Sequence, residues 1–264
     1  MKIATFSPYQ RGRSNETLIT LLSHYLKSEG NRIDAIGCDG CYSVCERDAQ
    51  ARWQGSFNRC FSCQTEQANV LKSNDFNSIR LGSWLTPGEI EHSRFLIMES
   101  GAKELTSLTW GSKVNLFDLC AGTFESRFGT REFKLGIKEQ EVFARQLLVS
   151  TLRQYIAINK IMLAGKYQLS FVPDGSDVLT CSFVCAARNS GANPVVFKYD
   201  RLDGNVFIIN PVTFEIKVCE GIAASIQDVG LDISKWSSDL TLAMRDILGF
   251  LGVDNEQLAL PLAN

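Results

Sequence analysis

Five of the nine cysteines fall within 26 residues, in the run CDGCYSVCERDAQARWQGSFNRCFSC from Cys38 to Cys63. Whatever fold the chain adopts has to bring those thiols together or bury them separately. The run follows a predicted strand, Arg32–Gly37, and precedes a predicted helix beginning near Gln64, so it reads as an insertion into an αβ repeat. Cys38/Cys41 and Cys60/Cys63 both have CxxC spacing. A tight turn lets each such pair chelate one ion, and two pairs fill a tetrahedron. Buried cysteines or a redox pair are the competing readings, because CxxC beside a βαβ pattern also marks thioredoxin-like sites. Five clustered thiols with two chelating spacings favour metal. Zinc is the expected ion and an iron–sulfur cluster the alternative, since thiolate ligation does not separate them.

The flanking sequence has the period of an α/β protein. Lys2–Ser7 is a short apolar run ending at Pro8, and Glu16–Glu29 carries Leu18, Leu21, Leu22, Tyr25 and Leu26 at helical spacing. Asn15 is placed to cap that helix and Gly30 to end it. With Arg32–Cys38 they make a βαβ unit, whose parallel strands need a crossover helix. Further on, Ser78–Leu81 reads as a strand, and Thr86-Pro87 opens a helix running to about Glu99 with Thr86 as N-cap. Asn115–Cys120 reads as a strand or a buried helical turn, and Gly122–Gly136 as a charged loop containing Arg127 and Arg131. A long apolar-faced helix is predicted over Lys138–Ala164. The strand Gln168–Val172, the helix Ser176–Arg188 and the strand Pro194–Tyr199 form a second βαβ. Two short strands, Asn205–Ile209 and Glu215–Val218, then suggest an antiparallel addition, and Leu240–Gly252 a last helix. The prediction is one Rossmann-like α/β domain over residues 1–264, a parallel sheet with helices on both faces and a metal-binding insertion at 38–63.

In such a sheet, ligands sit outside the carboxyl ends of the strands, where helix N-termini favour anions. The loop after the first strand holds Arg11, Arg13 and Ser14, and the loop after the strand Gln168–Val172 is Pro173-Asp174-Gly175. Arg11, Arg13, Ser14 and Gly175 are therefore the candidate ligand contacts, and Asp174 is the candidate catalytic carboxylate. Gly12 stands alone, so no dinucleotide fingerprint is present. His24 and His92 fall in no ligand spacing and read as packed or surface helix residues. Cys181 and Cys185, one turn apart, read as packing. The net charge of −2 and pI ≈ 5.8 create no field for nucleic acid, and no basic cluster is interleaved with aromatics. No stretch approaches the roughly 18 apolar residues of a transmembrane segment, and the apolar run in MKIATFSPYQRGR is too short for a signal peptide. A cytoplasmic protein is expected, in which thiols stay reduced.

The order of these residues resembles the amino-terminal, acceptor-side lobe of bacterial surface-polysaccharide glycosyltransferases of the two-Rossmann-lobe type. The resemblance rests on Cys38-Asp39-Gly40, Cys45, Arg59-Cys60 with Cys63, Trp84-Leu-Thr with Glu89, the long helix, and Asp174-Gly175, and it covers about residues 1–200. It implies a structural zinc on Cys38, Cys45, Cys60 and Cys63, with Cys41 as a variant ligand. It also implies polysaccharide biosynthesis, a nucleotide sugar or glycan acceptor as ligand, and Asp174 as the base. Because the chain ends at about the point where the donor lobe of that architecture should begin, the expectation is a lone acceptor-side lobe, a partner of a separate donor-binding subunit, or a relative with another job. A non-catalytic zinc-stabilised binding or assembly protein is the other expectation.

Overall fold

The computed structural model describes residues 1–6, 14–40, 44, 60–61, 63–65, 67–69, 75–111, 114–200, 203, 205–220 and 238–253. Its strands are β1 (Lys2–Phe6), β2 (Arg32–Gly37), β3 (Asn77–Arg80), β4 (Thr109–Trp110), β5 (Val114–Asn115), β6 (Leu169–Pro173), β7 (Asn193–Tyr199), β8 (Val206–Ile209) and β9 (Ile216–Cys219). Its helices are α1 (Ser14–Ser28), α2 (Pro87–Glu99), α3 (Leu116–Phe128), α4 (Lys138–Gly165), α5 (Val178–Asn189) and α6 (Ser238–Phe250). The main sheet has the order β3-β2-β1-β6-β7-β8-β9, and β4 and β5 form a separate antiparallel pair. The first five strands of that order run parallel, while β8 and β9 add on antiparallel to β7. This is the expected Rossmann-like α/β class with its antiparallel addition.

Three apolar clusters hold the layers together. On one face of the sheet, Leu18, Leu22 and Leu26 of α1 and Met244 and Leu248 of α6 pack over Ile3, Phe171 and Phe197. On the other, Ile158, Ile161 and Met162 of α4 and Phe183 of α5 cover Ala4, Phe6, Ile36 and Val172. The alternation along β1 and β6 sends successive side chains to opposite layers, as a sheet covered on both faces requires. At 28 residues α4 is about 42 Å long at 1.5 Å per residue, far longer than any strand here. Its amino-terminal half therefore extends beyond the sheet, where Phe143, Leu147 and Leu148 pack with Phe117 and Phe124 of α3 and Ile97 of α2.

Local chemistry explains several boundaries. Thr86 and Glu89 form a capping box at the start of α2, with Pro87 at N1 as predicted. Glu89 also meets Lys160 of α4 at 2.6 Å. The Lys160 hydrogen bond, aided by the Thr86 N–H, pulls the Glu89 pKa down to about 2. Asp34 is a buried carboxylate in β2, and burial alone would raise its pKa. Hydrogen bonds from Asn77, Tyr167 and Arg32 and the charge of Lys2 outweigh that, so the carboxyl titrates below the ordinary carboxylate range. One side chain thus ties β1, β2, β3 and the turn before β6 at the amino end of the sheet.

Three local expectations are corrected. Gly122–Gly136 is not one loop: α3 runs through Gly122 to Phe128, starting from Asn115, whose side chain accepts from the N–H groups of Phe117 and Asp118. Gly122 is required there by a close approach, since a β-carbon would collide with the Ser176 carbonyl oxygen. The second correction concerns the segment expected to turn helical near Gln64. Cys60, Phe61, Cys63–Thr65 and 67–69 are already helical, so Cys60 and Cys63 stand on a helix and not on a tight turn. Asn15 lies inside α1, which begins at Ser14 and not after Asn15.

Candidate functional site

β1 pairs with β2 on one side and β6 on the other, and the chain's two βαβ halves meet there. The carboxyl ends of these strands form the edge where open α/β sheets place ligands. Two groups of described residues gather along it, and a third stands on α4.

The first is the turn after β2. Both oxygens of Asp39 accept from the N–H of Gly82, at 3.0 and 2.9 Å, joining this turn to the 3-10 turn Leu81–Trp84 that follows β3. Cys38 Sγ accepts from the Gly40 N–H at 3.4 Å, and Cys60 Sγ accepts from Gln64 Nε2 at 3.3 Å. The point a Gly40 β-carbon would occupy is 2.6 Å from Cys60 Sγ, so both sulfurs converge on Gly40. Cys63 stands one helical turn beyond Cys60, half-buried against the cluster that contains Ile36. Beside these thiols a recess of ≈ 330 Å³ is lined by Gly37, Cys38, Gln64, Gln67, Ser78 and Arg80 among others. Arg80 is exposed at the end of β3.

The second group is the loop after β6. Asp174 and Gly175 take left-handed backbone in succession, at φ 67° and 76°. Ser176 Oγ donates to Asp174 Oδ1 at 2.8 Å, and Cys181 Sγ donates to the Gly175 carbonyl at 3.1 Å. Asp177 caps α5 by accepting from the N–H groups of Leu179 and Thr180. Burial, with Asp177 and Asp174 adding to it, pushes the Cys181 thiol up to about 12, so this cysteine is an inert packing thiol. Cys185 is raised as well, again by burial first.

The third group was read in the sequence only as apolar core. Ser150 and Gln154 of α4 are fully buried, and Ser150 Oγ accepts from the N–H of Val44, in the segment that follows β2, at 3.2 Å. Periodicity assigned this face to packing, and a polar residue inside an apolar helix face was the signal available.

Of the predicted site residues, Cys38, Cys60 and Cys63 lie along the same edge as Asp174 and Gly175, two strands apart. Cys45, the variant ligand Cys41, Arg11 and Arg13 lie outside the described residues, as does the side chain of Ser14. Among the described residues no three His, Cys, Asp or Glu side chains gather closely enough to hold a metal ion. No described helix is long and apolar enough to cross a membrane. His24 stacks near Phe76 and His92 near Trp110, at ring distances of 4.7 and 6.0 Å.

No family model and no curated protein matches this chain. Among solved structures, a CDPS (cyclodipeptide synthase) from Fluoribacter dumoffii is similar in fold, with TM-score 0.45 and 11% identity over 74% of this chain and 88% of that chain. That finding corrects the glycosyltransferase expectation: the similar structure is a CDPS and not a sugar-transferring lobe.

Proposed function

We propose that this chain is a metal-braced Rossmann-like domain that binds a small anionic molecule at the carboxyl edge of its sheet. The observation that supports this reading is the convergence of Cys38 and Cys60 on Gly40, at the wall of the recess that Arg80 lines. Cys38 and Cys60, the pair that converges, would hold a zinc ion together with two of Cys41, Cys45 and Cys63. Four thiolates close its shell, so it would brace the wall and leave no position for water. Arg80 supplies the charge: a guanidinium makes paired, charge-assisted hydrogen bonds to phosphate or carboxylate oxygens.

Elemental analysis and an anion titration test the two halves. Protein purified under reducing conditions should carry about one zinc per chain, and less than about half an equivalent would sink the metal. Inorganic pyrophosphate should bind the wild type, and Arg80→Gln should weaken it roughly tenfold with unchanged melting temperature. Equal binding by both proteins would sink the anion site.

A further inference from the structure

Gln154 belongs to α4, one turn after Ser150 and one turn before Ile158. Its side chain is fully buried, yet among the described residues neither Oε1 nor Nε2 has a hydrogen-bond partner. Leaving a buried amide without partners costs several kcal/mol in apolar surroundings, so native proteins rarely do it without a reason. Ligand, ordered water or function are the usual reasons.

Position separates this residue from an accident of packing. One turn toward the carboxyl end of α4, Ile158 packs in the cluster of Phe6 and Val172, the last residue of β1 and the next-to-last of β6. One turn toward the amino end, Ser150 holds the Val44 N–H beyond the end of β2. Gln154 therefore stands on α4 between the cluster that contains Phe6 and Val172 and the contact with the segment that follows β2. Gln146 continues the same face two turns further out, and its Oε1 is also buried without a partner among the described residues. Residues 146, 150 and 154 follow one another at intervals of four, so they form one polar line along a helix face that is otherwise apolar.

We infer that Gln154 is a ligand-reading residue: its amide pairs with a planar neutral group that presents a hydrogen-bond donor beside an acceptor, as a carboxamide or a nucleobase edge does. A primary amide offers that same pair in reverse, two donors on nitrogen next to two acceptor sites on oxygen. Burial makes the match discriminating, because a ligand lacking either group leaves half of Gln154 unpaired. This deepens the small-molecule reading given above but depends on neither the zinc nor Arg80, so loss of either leaves it standing.

The test uses the full-length chain and thermal shift with three probes at millimolar concentration: nicotinamide, uracil and N-methylacetamide. They separate a carboxamide, a nucleobase edge and a bare peptide-type amide as the source of the group. At least one should raise the melting temperature by about 3 °C, as expected near tenfold saturation. In Gln154→Leu the free protein should melt at the wild-type temperature or higher, because an unpartnered polar group has been removed, and the probe shift should vanish. Gln154→Met is the second variant should Leu not pack. No shift with any probe overturns the inference, and so does a shift that survives in the variant. A large fall in the melting temperature of both variants also overturns it, since the amide would then have structural partners.

Discussion

Asp39 grips Gly82 with both carboxylate oxygens across 43 residues of sequence, and through that contact the turn after β2 is fastened to the turn after β3. The recess and the converging thiols lie on this fastened corner, so its rigidity sets the geometry of the proposed site. Asp39→Ala should therefore destabilise by about 1–3 kcal/mol, the cost of stranding a backbone donor and losing a charge-assisted bond. Urea unfolding measures it. Asp39→Asn should keep one of the two bonds and recover about half of the loss. An alanine variant as stable as the wild type would mean that the corner is held elsewhere.

Acid should act through Asp34. Its folded pKa lies below its unfolded value, which is near 3.9, so the network's contribution is complete above about pH 4 and is lost as pH falls through the folded value. Asp34→Asn should lower unfolding stability by about 1–3 kcal/mol at pH 6. Denaturant midpoints at pH 6 and pH 3 should show the gap between variant and wild type closing in acid. A gap that stays constant would remove Asp34 from the acid response.

Gly122→Ala tests the contact between α3 and the loop after β6. In an exposed helix the change would stabilise, by up to about 1 kcal/mol. Here the added carbon meets the Ser176 carbonyl, a backbone atom that cannot rotate away. The expected result is a loss of about 1–3 kcal/mol with displacement of the Asp174–Ser176 loop, read from the melting temperature.

Thiol reactivity should divide the cysteines by place. Cys120 and Cys181 are both pushed up to about 12 by burial, and Cys219 to about 11. At pH 8 all three should resist iodoacetamide in the native protein and react after unfolding. Cys60 and Cys63, half-exposed, should react in metal-stripped protein and be protected when zinc is added. Peptide mass mapping over a time course separates the two groups. Rapid native labelling of Cys181 would contradict its packing role.

Hydrophobic period alone determined most of the layering. The spacing of Leu18, Leu22 and Leu26, the apolar stripe of α4 and the Thr86-Pro87 start gave the right elements, because each depends on neighbours within a few turns. The parallel order of the sheet followed from the same pattern, since strands joined through helices have few other ways to pair. What the sequence left undetermined depends on partners far away in the chain. Gly122 looked like a loop breaker until the Ser176 carbonyl explained why a helix needs it. Asp34 was one polar residue in an apolar strand until Lys2, Asn77 and Tyr167 surrounded it. Gln154 was a gap in a core stripe. Only the packing around α4 turns that gap into a buried amide without a partner among the described residues, because burial and hydrogen-bond supply are properties of the packed layers and not of the local sequence.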